Sequence, residues 1–284
     1  NIIQSFLLGR TFQVRVNGSH TDKHHLEAGV PQGSILSPRL YNDIPEPPLS
    51  ELFTFADDTG LFSRHNILTA AIYNLQEATD LLSSWFRKWR LTLNPRKTEA
   101  KIFGLRRFSN DDVPELQIDQ LRVPWTPKDQ GVRYLGVYFD TRLNWRYHVN
   151  KKLQTAHNRL TALYPLINRN TTLRTSCTTL LYKSLILPIL TYACPVWLGT
   201  SNTNIKRIQT LQNKVLRMAT NAPWFVRNQQ IHHELGVDPF AVHVEELTRR
   251  HHVRLPLSSG AIFYNLGRPT AHRLKPRLYQ DFLL

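Results

Sequence analysis

Short runs of alternating apolar and polar residues dominate the first half of the chain and predict strands and hairpins. Residues 11–18 alternate with period two and end at a glycine, which predicts a half-buried strand followed by a turn. Leu52–Phe55 and Thr59–Phe62 are apolar runs around Ala56-Asp57-Asp58, so they predict a hairpin with two acids at its tip. Further strands are predicted at Leu91–Leu93 and Ala100–Phe103, around an Asn-Pro turn, and at Leu116–Val123 and Val132–Phe139, as a second strand pair.

Helical periodicity dominates between and after these strands. Apolar residues from Ile67 to Trp89 recur every three or four positions, which is typical of an amphipathic helix. Four more segments are predicted to be helical: Ser34–Asn42, Trp145–Leu166, Leu173–Trp197 and Asn204–Ala219. The third of these should bend at Pro188 or Pro195, and the tail after Asp238 is weakly patterned. Strands followed by helices predict an α+β fold.

Composition excludes several classes of protein. The 284 residues are 41% hydrophobic, which is enough for a sizeable core, and no apolar run is long enough to predict a membrane helix. Two cysteines, Cys177 and Cys194, predict neither a zinc knuckle nor a disulfide framework. The histidine doublets lack the spacing of a metal site and are predicted to be solvated or locally hydrogen-bonded.

The net charge of +15 is confined to the second half of the chain. Residues 1–140 contain 16 Lys or Arg and 16 Asp or Glu, whereas residues 141–284 contain 20 and 5. A neutral part followed by a strongly basic part predicts a scaffold or catalytic part and then a part that holds a polyanion, such as nucleic acid. The alternatives are a basic surface that serves solubility and a surface that meets an acidic protein.

The adjacent carboxylates of Asp57 and Asp58 are the first candidate chemistry. At a hairpin tip both side chains can approach one location, where they repel each other unless a cation neutralises them. Mg²⁺ prefers carboxylate oxygens, and two such ions can stabilise the attacking and leaving oxygens of a phosphoryl transfer. By itself the doublet is as compatible with ordinary turn chemistry.

A glycine-bounded loop lies upstream, at Gly29–Pro38, and runs into the start of a predicted helix. Such a loop lets the backbone approach a nucleotide closely and offers helix N–H groups to phosphates. The alternative is an ordinary turn between a strand and a helix.

Gly29–Pro38 followed by Phe55-Ala56-Asp57-Asp58 resembles reverse transcriptases, and later motifs follow in the order of that family. They are Leu93–Glu99, Tyr134–Val137, Leu143–Trp145 with His148, Tyr192-Ala193 with Val196-Trp197, Leu211–Arg217 and Ala222–Trp224. The resemblance covers nearly the whole chain, and it is to the enzymes of non-LTR (LINE-type) retrotransposons, in particular insect jockey-like elements.

The resemblance implies roles in catalysis for three residues. Asp57 and Asp58 would ligate two Mg²⁺ ions, with Asp57 the stronger candidate. Lys97 would lie near the triphosphate and stabilise or protonate the leaving pyrophosphate, although a solvated turn lysine is the alternative at that position.

The resemblance implies binding roles for a further set of residues. The incoming nucleotide, the template base and the primer end would be lined by Pro31, Gln32, Gly33, Phe55 and Ala56. The primer backbone would be held by Tyr134, Leu135 and Gly136.

The resemblance also implies an architecture and partners. Residues 1–140 would be a partial palm, a small antiparallel sheet with helices on one face, and would include the metal-binding hairpin and a primer-grip hairpin at Tyr134–Val137. Residues 141–200 would be a helical thumb and residues 201–284 a basic helical C-terminal region. The partners would be an RNA template, a DNA primer, their RNA–DNA hybrid and deoxynucleoside triphosphates, without a membrane. A ribonucleoprotein of nucleus and cytoplasm, not a secreted protein, is expected.

Two departures from the family pattern bear on activity. The chain is expected to lack the fingers and the first palm motif, whose aspartate would be the third carboxylate ligand, so this chain alone is expected to be inactive. In addition, Leu40-Tyr41-Asn42 runs directly into Asp43-Ile44-Pro45, where relatives have a longer helix. A non-catalytic, basic nucleic-acid-binding remnant of such an element is therefore the alternative function, and a maturase- or telomerase-like relative is a third possibility.

Overall fold

The computed structural model describes residues 4–5, 8–26, 43–56, 58–104, 113–167 and 173–255. The chain divides into two compact units, each with its own hydrophobic core. The first unit is Asn1–Ala100 with Arg107–Trp125, and the second is Lys101–Arg106 with Thr126–Leu284. Helices and small antiparallel sheets make up these units, so the predicted α+β class is confirmed.

An N-terminal hairpin begins the described part of the first unit. Its strands are β1 (Thr11–Phe12), β2 (Arg15–Val16), β3 (Ser19–His20) and β4 (His24–His25), and β2 pairs with β3 while β1 pairs with β4. Asn17 and Gly18 both have positive φ, 49° and 87°, as a tight two-residue hairpin turn requires. The glycine turn is thus confirmed, but the prediction of a half-buried strand is wrong, because the side chains of both arms are exposed.

A second hairpin consists of β5 (Glu51–Phe55) and β6 (Asp58–Phe62), as the sequence predicts. The amphipathic helix α1 (Leu68–Lys88) contacts β6 and also β7 (Leu116–Ile118). The buried apolar residues of α1 are Ile72, Ala78, Leu82 and Phe86. The predicted apolar face is broader than the buried one, because Ile67, Leu81 and Trp89 remain exposed.

The hairpin of β7 and β8 (Leu121–Val123) completes the first unit. Its buried residues Leu116, Ile118 and Val123 pack with Ala100 into a small core. The side-chain amide of Gln76 on α1 donates to the Gln117 carbonyl at 3.0 Å and accepts the Gln117 N–H at 2.9 Å. This pairing ties α1 to β7 through two hydrogen bonds.

Two strand predictions are wrong. Leu116–Val123 does not pair with Val132–Phe139. Each run folds back on itself, because a two-residue turn with positive φ lies inside it, at Asp119-Gln120 and Leu135-Gly136. Leu91–Leu93 and Ala100–Phe103 form no ladder, and within them only Ala100 makes an isolated bridge, with Trp125. The predicted helix at Ser34–Asn42 lies outside the described residues.

The second unit combines the hairpin of β9 (Val132–Tyr134) and β10 (Val137–Phe139) with a group of helices. Two long helices, α2 (Arg146–Ile167) and α6 (Asn202–Thr220), confirm two of the predicted helical segments closely. They contact each other and enclose a core that includes Val149, Leu153 and Ile208.

The predicted helix Leu173–Trp197 is divided in the structure. It comprises α3 (Thr175–Leu181), a π-helical turn (Tyr182–Ile186), α4 (Leu187–Thr191) and α5 (Cys194–Trp197). The π-helical turn precedes Pro188, which has no N–H and whose ring crowds the preceding turn. The sharper break is at Ala193, with φ 52°, so the bend expected at one of the two prolines occurs just before Pro195.

The tail after Asp238 is more regular than its weak pattern suggests. It follows α7 (Asn228–Leu235) and forms α8 (Phe240–Arg254), which buries Phe240, Val244 and Thr248 and contacts α5 and α6. The buried side chains recur every fourth residue, a stripe too narrow to stand out among the histidines and charges around it.

Among the described helices, none combines the length and the apolar character needed to cross a membrane.

Candidate functional site

The β5–β6 hairpin presents the predicted carboxylate turn at its exposed end. Phe55 and Asp58 form the last pair of the ladder, and both side chains are exposed, Phe55 by 63%. Ala56 follows Phe55 with φ 53°, a left-handed conformation that costs a residue with a Cβ about 1–2 kcal/mol. Asp57 lies outside the described residues. The hairpin therefore offers the Asp58 carboxylate to solvent on a strained, tight turn.

The described residues do not complete a metal site by themselves. Asp58 fits Mg²⁺ chemically, because its carboxylate oxygens are exposed hard donors. However, no group of three or more His, Cys, Asp or Glu side chains gathers anywhere in the described ranges, from which Asp57 is missing. Pro31, Gln32 and Gly33 also lie outside these ranges, within residues 27–42.

Lys97 lies in a turn that Asn94 organises. The Asn94 carbonyl accepts the N–H groups of Lys97 and Thr98, both at 3.1 Å, and its side-chain oxygen accepts the N–H of Arg96 at 3.1 Å. Lys97 itself is exposed. In the described part of the chain no hydrogen bond or ion pair joins Lys97 to Asp58, and both side chains are exposed.

The β9–β10 turn, which contains the predicted primer-holding residues, is fixed by a tyrosine from a distant helix break. The Tyr192 hydroxyl donates to the Leu135 carbonyl at 2.9 Å. A Cβ on Gly136, whose φ is 78°, would lie 2.9 Å from Cε1 of Tyr192, so only glycine lets the ring pack this closely. Tyr192 stands between α4 and α5, next to the left-handed Ala193. The break in the helix and the turn of the hairpin thus form one assembly.

Lys152 on α2 adds a cation to this assembly. Its Nζ lies 4.5 Å from the centre of the Tyr192 ring, a distance at which ammonium and ring attract each other. Burial lowers the pKa of Lys152, and the Arg133 guanidinium on β9 lowers it further. An anion beside Lys152 would oppose both effects and raise the pKa, because it would stabilise the ammonium form.

His148, on the first turn of α2, is a structural residue. It is fully buried between aromatic rings, with ring centroids 5.5 Å from Trp197 and 6.5 Å from Trp145. Its Nδ1 accepts the N–H of Tyr138 at 3.2 Å, which connects α2 to β10. Burial, and secondarily the Lys152 charge, lowers the pKa of His148 to about 4, so its ring is neutral at physiological pH.

Comparison with known proteins decides the family. The reverse transcriptase (RNA-dependent DNA polymerase) family matches residues 1–139, which include the β5–β6 hairpin, the Lys97 turn and the β9–β10 hairpin. Residues 1–139 belong to the reverse transcriptase family. The resemblance to reverse transcriptases is thereby confirmed.

The similar reverse transcriptases come from Drosophila transposons. The probable RNA-directed DNA polymerase from transposon X-element of Drosophila melanogaster is 33% identical over an alignment of 293 positions, which covers 99% of this chain and 32% of that protein. The probable enzyme from transposon BS of the same species is 32% identical, over 89% of this chain and 29% of its own length. The RNA-directed DNA polymerase from its mobile element jockey is 28% identical, over 97% and 31%.

These relatives are RNA-directed DNA polymerases of transposons, which agrees with the resemblance to LINE-type reverse transcriptases. The chain spans about a third of the length of the curated relatives that it matches. No solved structure matches it.

Two motifs that the sequence places far apart lie against each other in the structure. Tyr134–Val137 and Tyr192-Ala193 were separate motifs, and the structure brings the second against the turn of the first. Lys152 was missed, because on α2 it follows Lys151 in an ordinary basic pattern. Lys101 was missed as well: its Nζ donates to the carbonyls of Pro127 at 2.5 Å and Gln130 at 2.8 Å and holds that loop.

Proposed function

We propose that this chain is part of an RNA-directed DNA polymerase of a non-LTR retrotransposon, which copies RNA by adding deoxynucleotides to a primer 3′ hydroxyl. The observation that carries the proposal is the tight, strained β5–β6 hairpin with Asp58 exposed at its end, in a segment that belongs to the reverse transcriptase family. A strained turn at an exposed tip is typical of functional sites.

In the proposed site, Asp57 and Asp58 would hold two Mg²⁺ ions. The bound ions would neutralise charge on the triphosphate and the attacking oxygen. Phe55 and Ala56 shape the turn beside the primer end. Lys97, exposed in its turn, is available to stabilise the leaving pyrophosphate. The incoming nucleotide and the template base are assigned to Pro31, Gln32 and Gly33.

The second unit is proposed to hold the nucleic acid. Residues 1–140 would be the palm, with the Tyr134–Gly136 turn gripping the primer backbone, and residues 141–200 the thumb. The basic region 201–284 would add phosphate contacts to the RNA–DNA hybrid. Support comes from the charge: from Thr141 to His233 the sequence has thirteen Lys or Arg and no Asp or Glu. Such a surface contacts phosphates, and its binding weakens steeply with salt.

The test is primer extension on an RNA template by the full polymerase that contains this chain, with Asp57→Asn and Asp58→Asn variants. Asparagine keeps the size of the side chain and removes its charge. Loss of even an outer partner of a metal site costs about 10- to 100-fold, so loss of a direct ligand should abolish extension. Asp22→Asn, in the exposed N-terminal hairpin, is the matched control and should extend normally.

A second candidate function, binding without catalysis, is favoured by the charge distribution alone. If Asp57→Asn extended primers as well as the unmodified enzyme, the assignment of the metal site to this hairpin would be wrong. If the unmodified enzyme itself did not extend primers, the polymerase proposal would fail, and salt-dependent RNA binding by residues 141–284 would remain as the function.

A further inference from the structure

Two large aromatic side chains project from the loop between α6 and α7. Trp224 is 90% exposed and Phe225 is 68% exposed, and their rings meet edge to face with centroids 6.0 Å apart. Trp224 belongs to the Ala222–Trp224 motif, for which the proposed polymerase site has no use. Side chains of this size are usually buried, so a neighbouring exposed pair marks a contact surface.

The exposure is maintained by the structure around the loop. The Arg217 guanidinium donates to the carbonyls of Pro223 and Val226, each at 2.7 Å, and to the side-chain oxygen of Asn228 at 2.8 Å. The Val226 N–H also donates to the Pro223 carbonyl at 3.1 Å. Charged hydrogen bonds of this kind are stronger than neutral ones. The loop is thus braced on both sides of the two rings and presents them without collapsing onto the core.

The charge of the surroundings selects the kind of partner. The loop lies in the Thr141–His233 stretch that contains no acidic residue, and Arg227 beside it is exposed. A basic protein partner would be repelled by this charge. Exposed aromatic rings among cations match single-stranded nucleic acid, whose bases stack on aromatic faces while cations meet its phosphates. A duplex offers no free base faces inside its length.

We propose that Trp224 and Phe225 form a stacking platform for unpaired bases of a single-stranded RNA. Arg217 is the positioning residue of this platform, because it holds the loop without touching the bases. The platform needs neither metal nor nucleotide addition, so it can succeed or fail independently of the proposed polymerase activity.

The experiment measures the affinity of the full chain for a fluorescent oligouridine RNA by anisotropy, at several salt concentrations. Removing both rings, in a Trp224→Ala, Phe225→Ala variant, should weaken binding about tenfold or more, because each stacked base contributes severalfold or more. The dependence on salt should keep its slope, because stacking releases no counterions. Tyr73→Ala, at an exposed aromatic position on α1 of the first unit, is the matched control and should bind normally.

Single substitutions separate stacking from general hydrophobic contact. Trp224→Phe keeps a flat ring and should retain most of the affinity, whereas Trp224→Leu keeps apolar area and should lose it. These two variants also decide the question if the double variant fails to fold. The double variant should bind an RNA–DNA duplex of the same length with an affinity within about twofold of that of the unmodified chain, since the bases of the duplex are paired.

Other outcomes would overturn the proposal. Unchanged RNA affinity in the double variant, or full affinity in Trp224→Leu, excludes base stacking. If the variants instead abolish self-association in sedimentation velocity and leave RNA affinity intact, the surface binds a second copy of the chain. If the double variant loses as much affinity for single-stranded DNA as for RNA, the assignment to RNA is wrong and the platform binds either kind of single strand.

Discussion

The buried histidine of the second unit leads to a quantitative prediction about pH. His148 has a pKa of about 4 in the folded protein, and an unfolded histidine has a pKa of about 6.5. At a pH between these two pKa values, the unfolded state therefore binds a proton at His148 more readily than the folded state does. The stability due to the neutral ring is fully present above pH 6.5 and is lost as the pH falls towards 4. Linkage gives a loss of about 2–3 kcal/mol between pH 7.5 and pH 4.5.

The perturbation is His148→Asn, which keeps an acceptor near Nδ1 for the Tyr138 N–H and cannot take up a proton. At pH 7.5 the variant should be less stable by about 1–3 kcal/mol, because it leaves a cavity between Trp145 and Trp197. From pH 7.5 to pH 4.5 it should lose about 2–3 kcal/mol less than the unmodified chain. The two stability curves should therefore converge in acid.

The assay is urea unfolding followed by tryptophan fluorescence at both pH values, since Trp145 and Trp197 lie against the His148 ring. Val149→Ala, at the adjacent and fully buried position, is the control. It creates a cavity without removing a titrating group, so its curve should stay parallel to that of the unmodified chain. If the His148→Asn curve were also parallel, the explanation by a buried neutral ring would be wrong.

Two further predictions concern the hairpin turns. Gly136→Ala should destabilise the second unit by about 1–2 kcal/mol, because φ is positive there and the new Cβ meets the Tyr192 ring. Tyr192→Phe removes one hydrogen bond and should lower stability by about 1 kcal/mol. Both are measured by thermal unfolding, and a neutral Gly136→Ala would contradict the packing described. Ala56→Gly should be neutral or stabilising by up to about 1 kcal/mol, because it relieves a positive φ. The control Ala71→Gly, inside α1, should cost about 1 kcal/mol, and an equal cost at Ala56 would exclude strain.

Elements with a strong local signal were predictable from the sequence. The helices α1, α2 and α6 follow from apolar residues at helical spacing, and the β5–β6 hairpin follows from two apolar runs around Ala56-Asp57-Asp58. In the N-terminal hairpin, Asn17-Gly18 is a strong turn signal. Local preference and final structure agree at these places, because each signal spans only a few neighbouring residues.

Prediction failed where the deciding contact is distant or the local signal is weak. Asp119-Gln120 is a less common turn pair than Asn-Gly, so the hairpin inside Leu116–Val123 was missed. Leu91–Leu93 has strand-like composition, but its backbone finds no partner strand. In α8, the burial of Phe240 and Val244 depends on α5 and α6, and this dependence leaves little trace in the sequence of α8.

The sequence by itself determined the family, the paired aspartates at a hairpin tip and the confinement of positive charge to the second half. These features depend on residue identity and spacing, which can be read directly from the sequence. Tertiary structure decided which distant residues meet and which side chains water reaches. It set Tyr192 against Gly136, buried His148 among aromatic rings and left Trp224 in solvent. Burial and long-range contact follow from how whole elements pack, and the same residue types in another packing would have had other roles.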